Sequence, residues 1–127
     1  MSEYPENLRY TKDHEWVRVE GDNAVCGITD FAQSELGEVV FVELPAIGKI
    51  VKKGDTLCVV ESTKAASDVY APIAGKVVEV NQSLSDEPSK INSEPYSNGW
   101  LVKLVEFNSA EVEGLMGVTE YRSLIKS

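Results

Sequence analysis

The stretch "ESTKAASDVYAPIAGKVVEV", Glu61 to Val80, decides the fold. One cation, Lys64, stands there among small residues, between two strand-like apolar runs. Upstream, "KIVKKGDTLCVVES" reads as a short strand, a turn at Lys53-Gly54-Asp55 and a second strand through Val60. Downstream, a strand begins near Asp68, breaks at Pro72 and Gly75, and resumes to Val80. The turn glycines Gly54 and Gly75 lie at nearly equal distances from Lys64 along the chain. That framing places Lys64 at the tip of a hairpin joining two β-arms.

Outward from the tip the pattern stays β-rich. "HEWVRVEGDNAVCGI" reads as a hairpin, with Trp16, Arg18 and Glu20 alternating with Val17 and Val19 before a turn at Gly21-Asp22-Asn23. "TDFAQSELG" switches to helical spacing, with Thr29 as N-cap, Asp30 at the positive end of the dipole and Gly37 as the stop. "EVVFVELP" is rich in β-branched residues and ends at Pro45. From Asn81 to Gly99 the periodicity is lost, which predicts a loop with one short helical turn. A strand from Trp100 to Phe107 follows, then two helical stretches broken near Gly117, capped by Asn108 or Ser109 and by Thr119. Short strands with close turns predict a mainly β chain, a barrel-like flattened β-sandwich with short N-proximal and C-terminal helices. No strand–helix–strand alternation supports a doubly wound nucleotide fold.

At 127 residues the chain is expected to form a single domain, residues 1–127, with a core that needs neither metal nor disulfide. Its formal net charge of −9 argues against nucleic-acid binding and suits docking to basic patches on proteins. No apolar run approaches the roughly 18 residues of a membrane span. The polar, acid-bearing start "MSEYPENLRY" has neither a signal peptide's apolar run nor the Arg-rich character of a transit peptide, so a cytoplasmic location is expected. Cys26 and Cys58 sit in apolar stretches and read as buried free thiols, and no His/Cys cluster signals a metal.

The chemistry of Lys64 narrows its use. An exposed lysine is protonated at neutral pH and a poor nucleophile. A Schiff-base lysine needs burial or a nearby cation, whereas Glu61 and Asp68 flank this one. It is unsuited to catalysis yet suited to modification by an enzyme that brings an activated acyl group. Thr63, Ala65, Ala66 and Ser67 supply the small neighbours such an enzyme needs. No nucleophile–base pair or phosphate loop appears, so no activity of the chain's own is expected.

The pattern Gly54-Asp55-x-Leu57, Glu61-x-x-Lys64-Ala65, Pro72-x-x-Gly75-x-Val77 resembles the attachment motif of biotinyl/lipoyl carrier domains. With "YTKDHEWV", "GITDFAQSELGEVVFVELPAIG", "INSEPYSNGWLVKL" and "LMGVTEYRSLI", nearly the whole chain resembles the H proteins of the glycine cleavage system. Thr63, Ala71 and Ala74 depart from the residues frequent in that family and keep side chains small or β-branched. The resemblance implies lipoate, as (R)-lipoate, in amide linkage to Lys64. It implies a shuttle that takes the aminomethyl group of glycine from glycine decarboxylase (the P protein) to the aminomethyltransferase (the T protein). It also implies delivery of electrons to dihydrolipoyl dehydrogenase (the L protein). A lipoate-attaching enzyme is a further implied partner, and Glu61, on the strand entering the tip, is a candidate contact for it. A shuttle of this kind works best as a monomer.

The family also shelters the loaded arm against its surface. Its cargo carries an amine, which makes Asp68, Glu15 and Glu35 candidate cleft acids beside the alternative that all three are ordinary solvated carboxylates. His14, the one histidine, reads as structural or docking, and Trp16 and Trp100 as core or near-core aromatics. Rival readings are a lipoyl domain of a 2-oxoacid dehydrogenase, a biotin carrier, an unmodified interaction module and a donor of lipoyl groups to other complexes. Biotin sites flank their lysine with methionines, whereas Thr63 and Ala65 flank Lys64.

Overall fold

The computed structural model describes residues 4–126. Among the described residues nine strands run β1 (Arg9–Tyr10), β2 (Glu15–Glu20), β3 (Asn23–Ile28), β4 (Val39–Glu43), β5 (Ile50–Val51), β6 (Thr56–Ser62), β7 (Ala66–Tyr70), β8 (Gly75–Val80) and β9 (Val102–Val105). Five helices among the same residues are interleaved: α1 (Asp30–Leu36), α2 (Ser83–Asp86), α3 (Lys90–Ser93), α4 (Ser109–Glu113) and α5 (Val118–Lys126). The strands form a six-stranded sheet in the order β1-β2-β3-β9-β8-β5 and a three-stranded sheet β4-β6-β7, all pairings antiparallel. The result is the expected mainly β sandwich, with two separate sheets rather than a closed barrel. No described helix is long and apolar enough to cross a membrane.

Burial explains the layering. Val17, Cys26, Val42, Val60, Val77 and Leu104 are all buried between the sheets, in one continuous core. A second cluster, Leu8, Tyr10, Trp16, Val25 and Tyr121, lies on the other face of the large sheet, with Tyr121 contributed by α5. Trp16 and Val17 are therefore both buried although they point to opposite faces, and β2 lacks the one-sided alternation of a surface strand. The Trp16 indole lies flat over β3, where a Cβ on Gly27 would stand 2.6 Å from the ring. Its Nε1 donates to the carbonyls of Ile28 and Pro95, so the ring's polar edge is satisfied. Trp100 is half-buried against the same cluster. Both cysteines are buried and free, and burial pushes both thiols up.

Three local expectations need correction. Residues 81–99 hold two short helices, α2 and α3, where one turn was expected. Their anchors are Leu84 and Ile91, single fully buried side chains too sparse to set up a periodic pattern. The strand expected from Trp100 to Phe107 is confined to Val102–Val105, because Glu106 takes a left-handed φ of 57° that ends the ladder. Helix α5 begins at Val118, so Thr119 lies within its first turn instead of capping it. Asn108 does cap α4, its side chain accepting from the Ala110 N–H.

Candidate functional site

The hairpin β6–β7 carries Thr63, Lys64 and Ala65 at its tip, all exposed. Ser62 shapes the turn. Its N–H donates to the Ala65 carbonyl at 2.7 Å, and its hydroxyl accepts from the N–H groups of Lys64 and Ala65. The tip is also tied sideways, since the Thr63 N–H donates to the Glu38 carbonyl at 3.0 Å. At the base, hydrogen bonds from Gly54 N to Ala71 O and from Ala71 N to Asp55 O close the two arms, and Val51 pairs with Gly75 beyond them. The two framing glycines thus mark the foot of the hairpin.

Helix α1 forms the platform beside the tip. Thr29 caps its start by accepting from the Ala32 N–H. Gly37 ends it at φ 85°, a conformation that strains any L side chain. A Cβ placed on Gly37 would lie 3.4 Å from Lys64 Cε, so the lysine stem runs across this glycine. Asn92 of α3 holds the segment in place. Its side-chain amide donates to Gly37 O and Gln33 Oε1, and its Oδ1 accepts from the Val39 N–H.

Between α1 and β7 opens a cleft of about 190 Å³. Its polar wall is Asp13, His14, Glu15, Glu35 and Asp68, and its apolar floor includes Ile28, Ala32, Leu36 and Val69. The structure therefore brings Glu15, Glu35 and Asp68 to one cleft, on the flank of the strand that leaves the Lys64 tip. Asp68 and Glu35 are exposed at its lip, whereas Glu15 is 3 % exposed. A larger cleft of about 350 Å³, between Tyr10, Lys53, Tyr70 and Met116, lies on the other side of Glu15, away from α1.

Glu15 has both carboxyl oxygens engaged. Oε1 accepts from the Thr11 hydroxyl at 2.5 Å and Oε2 from the Tyr70 N–H at 3.3 Å. Burial nonetheless raises its pKa to about 7, with the two hydrogen bonds opposing the shift. A cation entering the cleft favours the charged form and lowers that value. His14 takes a left-handed φ of 71° in the tight turn before β2, and its ring packs on Phe31 with centroids 4.6 Å apart. Its Nδ1 meets the Tyr121 hydroxyl at 2.8 Å, and that hydroxyl meets Thr29 Oγ1 at 2.8 Å. Burial lowers the His14 pKa, which keeps the ring neutral and able to accept from Tyr121.

Sequence reasoning passed over Ser62, Asn92, Asp13 and Tyr121. Only Ser62 left a signal, as a small hydroxyl two residues before a turn lysine. The partners of Asn92 and Tyr121 are 53 to 107 residues away in the chain, so no local pattern marks them.

The family model described as "Glycine cleavage H-protein" matches residues 8–127. A glycine cleavage system H protein of Alteromonas mediterranea is 55% identical over 126 residues, covering 98% of each chain. One from Anaeromyxobacter sp. (strain K) is 52% identical over 124 residues, covering 98% of this chain and 97% of its own. The crystal structure of a glycine cleavage system H protein from Mycobacterium marinum superposes with a TM-score of 0.87 at 37% identity, covering 98% of this chain and 100% of that one.

Proposed function

This chain belongs to the glycine cleavage H-protein family, and from that membership we propose that Lys64 carries lipoate in amide linkage. The protein is a carrier within the glycine cleavage system and not a catalyst. The single observation that carries the attachment site is the hairpin tip. Lys64 is exposed between small residues, its turn is fixed by Ser62 and Thr63, and no ion pair among the described residues engages it. These features fit an acylated lysine, because an attaching enzyme needs an accessible amine on a rigid turn.

Held on Lys64, lipoate would supply a dithiolane whose S–S bond can open to take up the aminomethyl group that the P protein releases from glycine, leaving a dithiol for the L protein to reoxidise once the T protein has taken the group. The chain's own residues present, position and shelter. The tip presents the arm, and Gly37 leaves room for the lysine stem beside α1. Glu15 and Asp68 line a cleft that an ammonium group on the arm enters with favourable charge, over a floor apolar enough to limit water. Residues 1–127 act as one carrier domain, working as a monomer in the cytoplasm, where the free thiols Cys26 and Cys58 stay reduced. Docking to the three enzymes is transient and guided by the acidic surface.

Intact mass spectrometry after incubation with lipoate, ATP and a lipoate ligase tests the site. One lipoyl group is expected on the wild type and none on Lys64→Arg, with unchanged circular dichroism. Modification of Lys64→Arg would overturn the assignment. In the loaded carrier, Asp68→Asn and Glu15→Gln are expected to shorten the lifetime of the aminomethyl adduct without reducing lipoylation. An unchanged lifetime would remove both residues from the sheltering of the arm.

A further inference from the structure

We infer that the exposed face of β4, centred on Val40 and Phe41 and rimmed by Glu38, Glu43 and Glu61, is the docking surface for the enzyme that attaches lipoate to Lys64. The inference rests on Lys64 being the attachment site and adds where the attaching enzyme sits.

Three observations converge on this face. First, Val40 and Phe41 are 50 % and 51 % exposed, adjacent in the chain, on a strand paired only with β6. The register shifts between Val39 and Phe41, so Val40 falls in a bulge and both large apolar side chains face water while Val39 and Val42 stay in the core. Second, the patch adjoins the tip. Phe41 is the register partner of Glu61, whose other partner is Ala66, so Phe41, Glu61 and Ala66 form one cross-strand row. Glu61 is three residues before Lys64, which places this row within roughly 10 Å of the tip along the strand. Third, the rim is acidic. Glu38 and Glu43 are exposed, Glu61 is half-exposed, and none of the three is in an ion pair among the described residues.

Geometry selects the occupant. The enzymes of the cycle meet a long arm and reach it from a distance. The attaching enzyme meets a bare lysine, so its active site must approach to the length of one side chain and its surface must cover the tip's surroundings. The tip itself, Thr63, Lys64 and Ala65, offers no large apolar group. Specific interfaces draw most of their affinity from a few buried aromatic or aliphatic anchors within a polar rim. The nearest such anchors in register with the tip are Phe41 and Val40, and their acidic rim calls for a partner with an apolar recess edged by Lys or Arg.

The test follows lipoylation by a lipoate ligase supplied with lipoate and ATP. It uses wild type, Val40→Ser/Phe41→Ser, Glu38→Gln/Glu43→Gln, and Ile47→Ser/Ile50→Ser as a second exposed apolar pair away from the tip. The Val40/Phe41 variant is expected to lose roughly tenfold or more in kcat/KM, chiefly through KM. The Glu38/Glu43 variant is expected to flatten the fall of kcat/KM with added salt. The Ile47/Ile50 variant is expected to match wild type. Ligase binding to Lys64→Arg, with and without the Val40/Phe41 substitutions, gives a readout free of chemistry and should show the same weakening. Equal kcat/KM for wild type and the Val40/Phe41 variant overturns the inference, as does an equal loss in the Ile47/Ile50 variant. A defect confined to the enzymes of the glycine cycle overturns the choice of occupant. Failure of wild type to be lipoylated at all overturns the attachment site itself, which keeps the two failures apart.

Discussion

Glu15 shows most clearly how one residue's environment sets its use. Its ordinary pKa is 4.5 and its folded value is about 7, raised first by burial. Between those values the folded carboxyl keeps a proton that the unfolded one has released. Folding therefore loses stability as pH rises from about 4.5 through 7, at up to about 1.4 kcal/mol per pH unit. Glu15→Gln removes that slope. Urea denaturation from pH 5 to 8 should show the variant gaining roughly 2 kcal/mol on wild type across the range. A constant offset comes in addition, because the glutamine amide has one acceptor oxygen for the two donors that the carboxylate serves, the Thr11 hydroxyl and the Tyr70 N–H. Equal pH slopes in the two proteins would mean that Glu15 is not titrating in a buried site. The family resemblance, with the amine of the cargo it implies, placed Glu15 among the candidate acids, but nothing in "HEWV" distinguishes a buried carboxyl from a solvated one. Its burial arises from β7 and the Thr11 turn closing over it.

At the scale of elements, the hairpin and α1 form one unit although Glu38 and Thr63 are far apart in sequence. The hairpin was legible because its cues are local: Gly54 and Gly75, alternating apolar residues, and Pro72. The short helix was equally legible from Thr29, Asp30 and Gly37. What joins them was not, because Asn92 reaches in from α3, within a segment whose composition reads only as loop. Asn92→Ala leaves the Val39 N–H and the Gly37 carbonyl without a partner. A loss of roughly 2 kcal/mol is expected from a half-buried amide serving three partners. Hydrogen exchange at Val39 and Thr63 should quicken more than at Val25 or Leu104 in the large sheet. Uniform quickening across both sheets would show instead that Asn92 supports the whole fold rather than the tip's platform.

For the whole molecule, the C-terminal helix ties the cleft to the far face of the large sheet. Tyr121 stacks on Tyr10 with centroids 4.6 Å apart, and its hydroxyl touches both His14 and the α1 cap Thr29. Tyr121→Phe keeps the stacking and removes the hydroxyl, so a loss of about 1 to 2 kcal/mol is expected on denaturation. Burial holds His14 below its ordinary value of 6.5. The His14 contribution to stability is therefore lost as pH falls below 6.5, where the unfolded chain takes up a proton that the folded ring resists, and it opposes the Glu15 contribution over the same range. An NMR titration of His14 that is the same in wild type and Tyr121→Phe would show that the hydroxyl does not set the ring's protonation. The sequence by itself determined the β-rich class, the position of the lysine at a hairpin tip and the short capped helix. Strand periodicity, turn glycines and caps act between residues close in the chain. Tertiary structure alone decided that Glu15, Glu35 and Asp68 share one cleft, that Val40 and Phe41 emerge together beside the tip, and that His14 leans on Tyr121. Those outcomes depend on sheet order, a bulge and packing between distant segments, where burial and long-range hydrogen bonds act and local pattern carries no record of them.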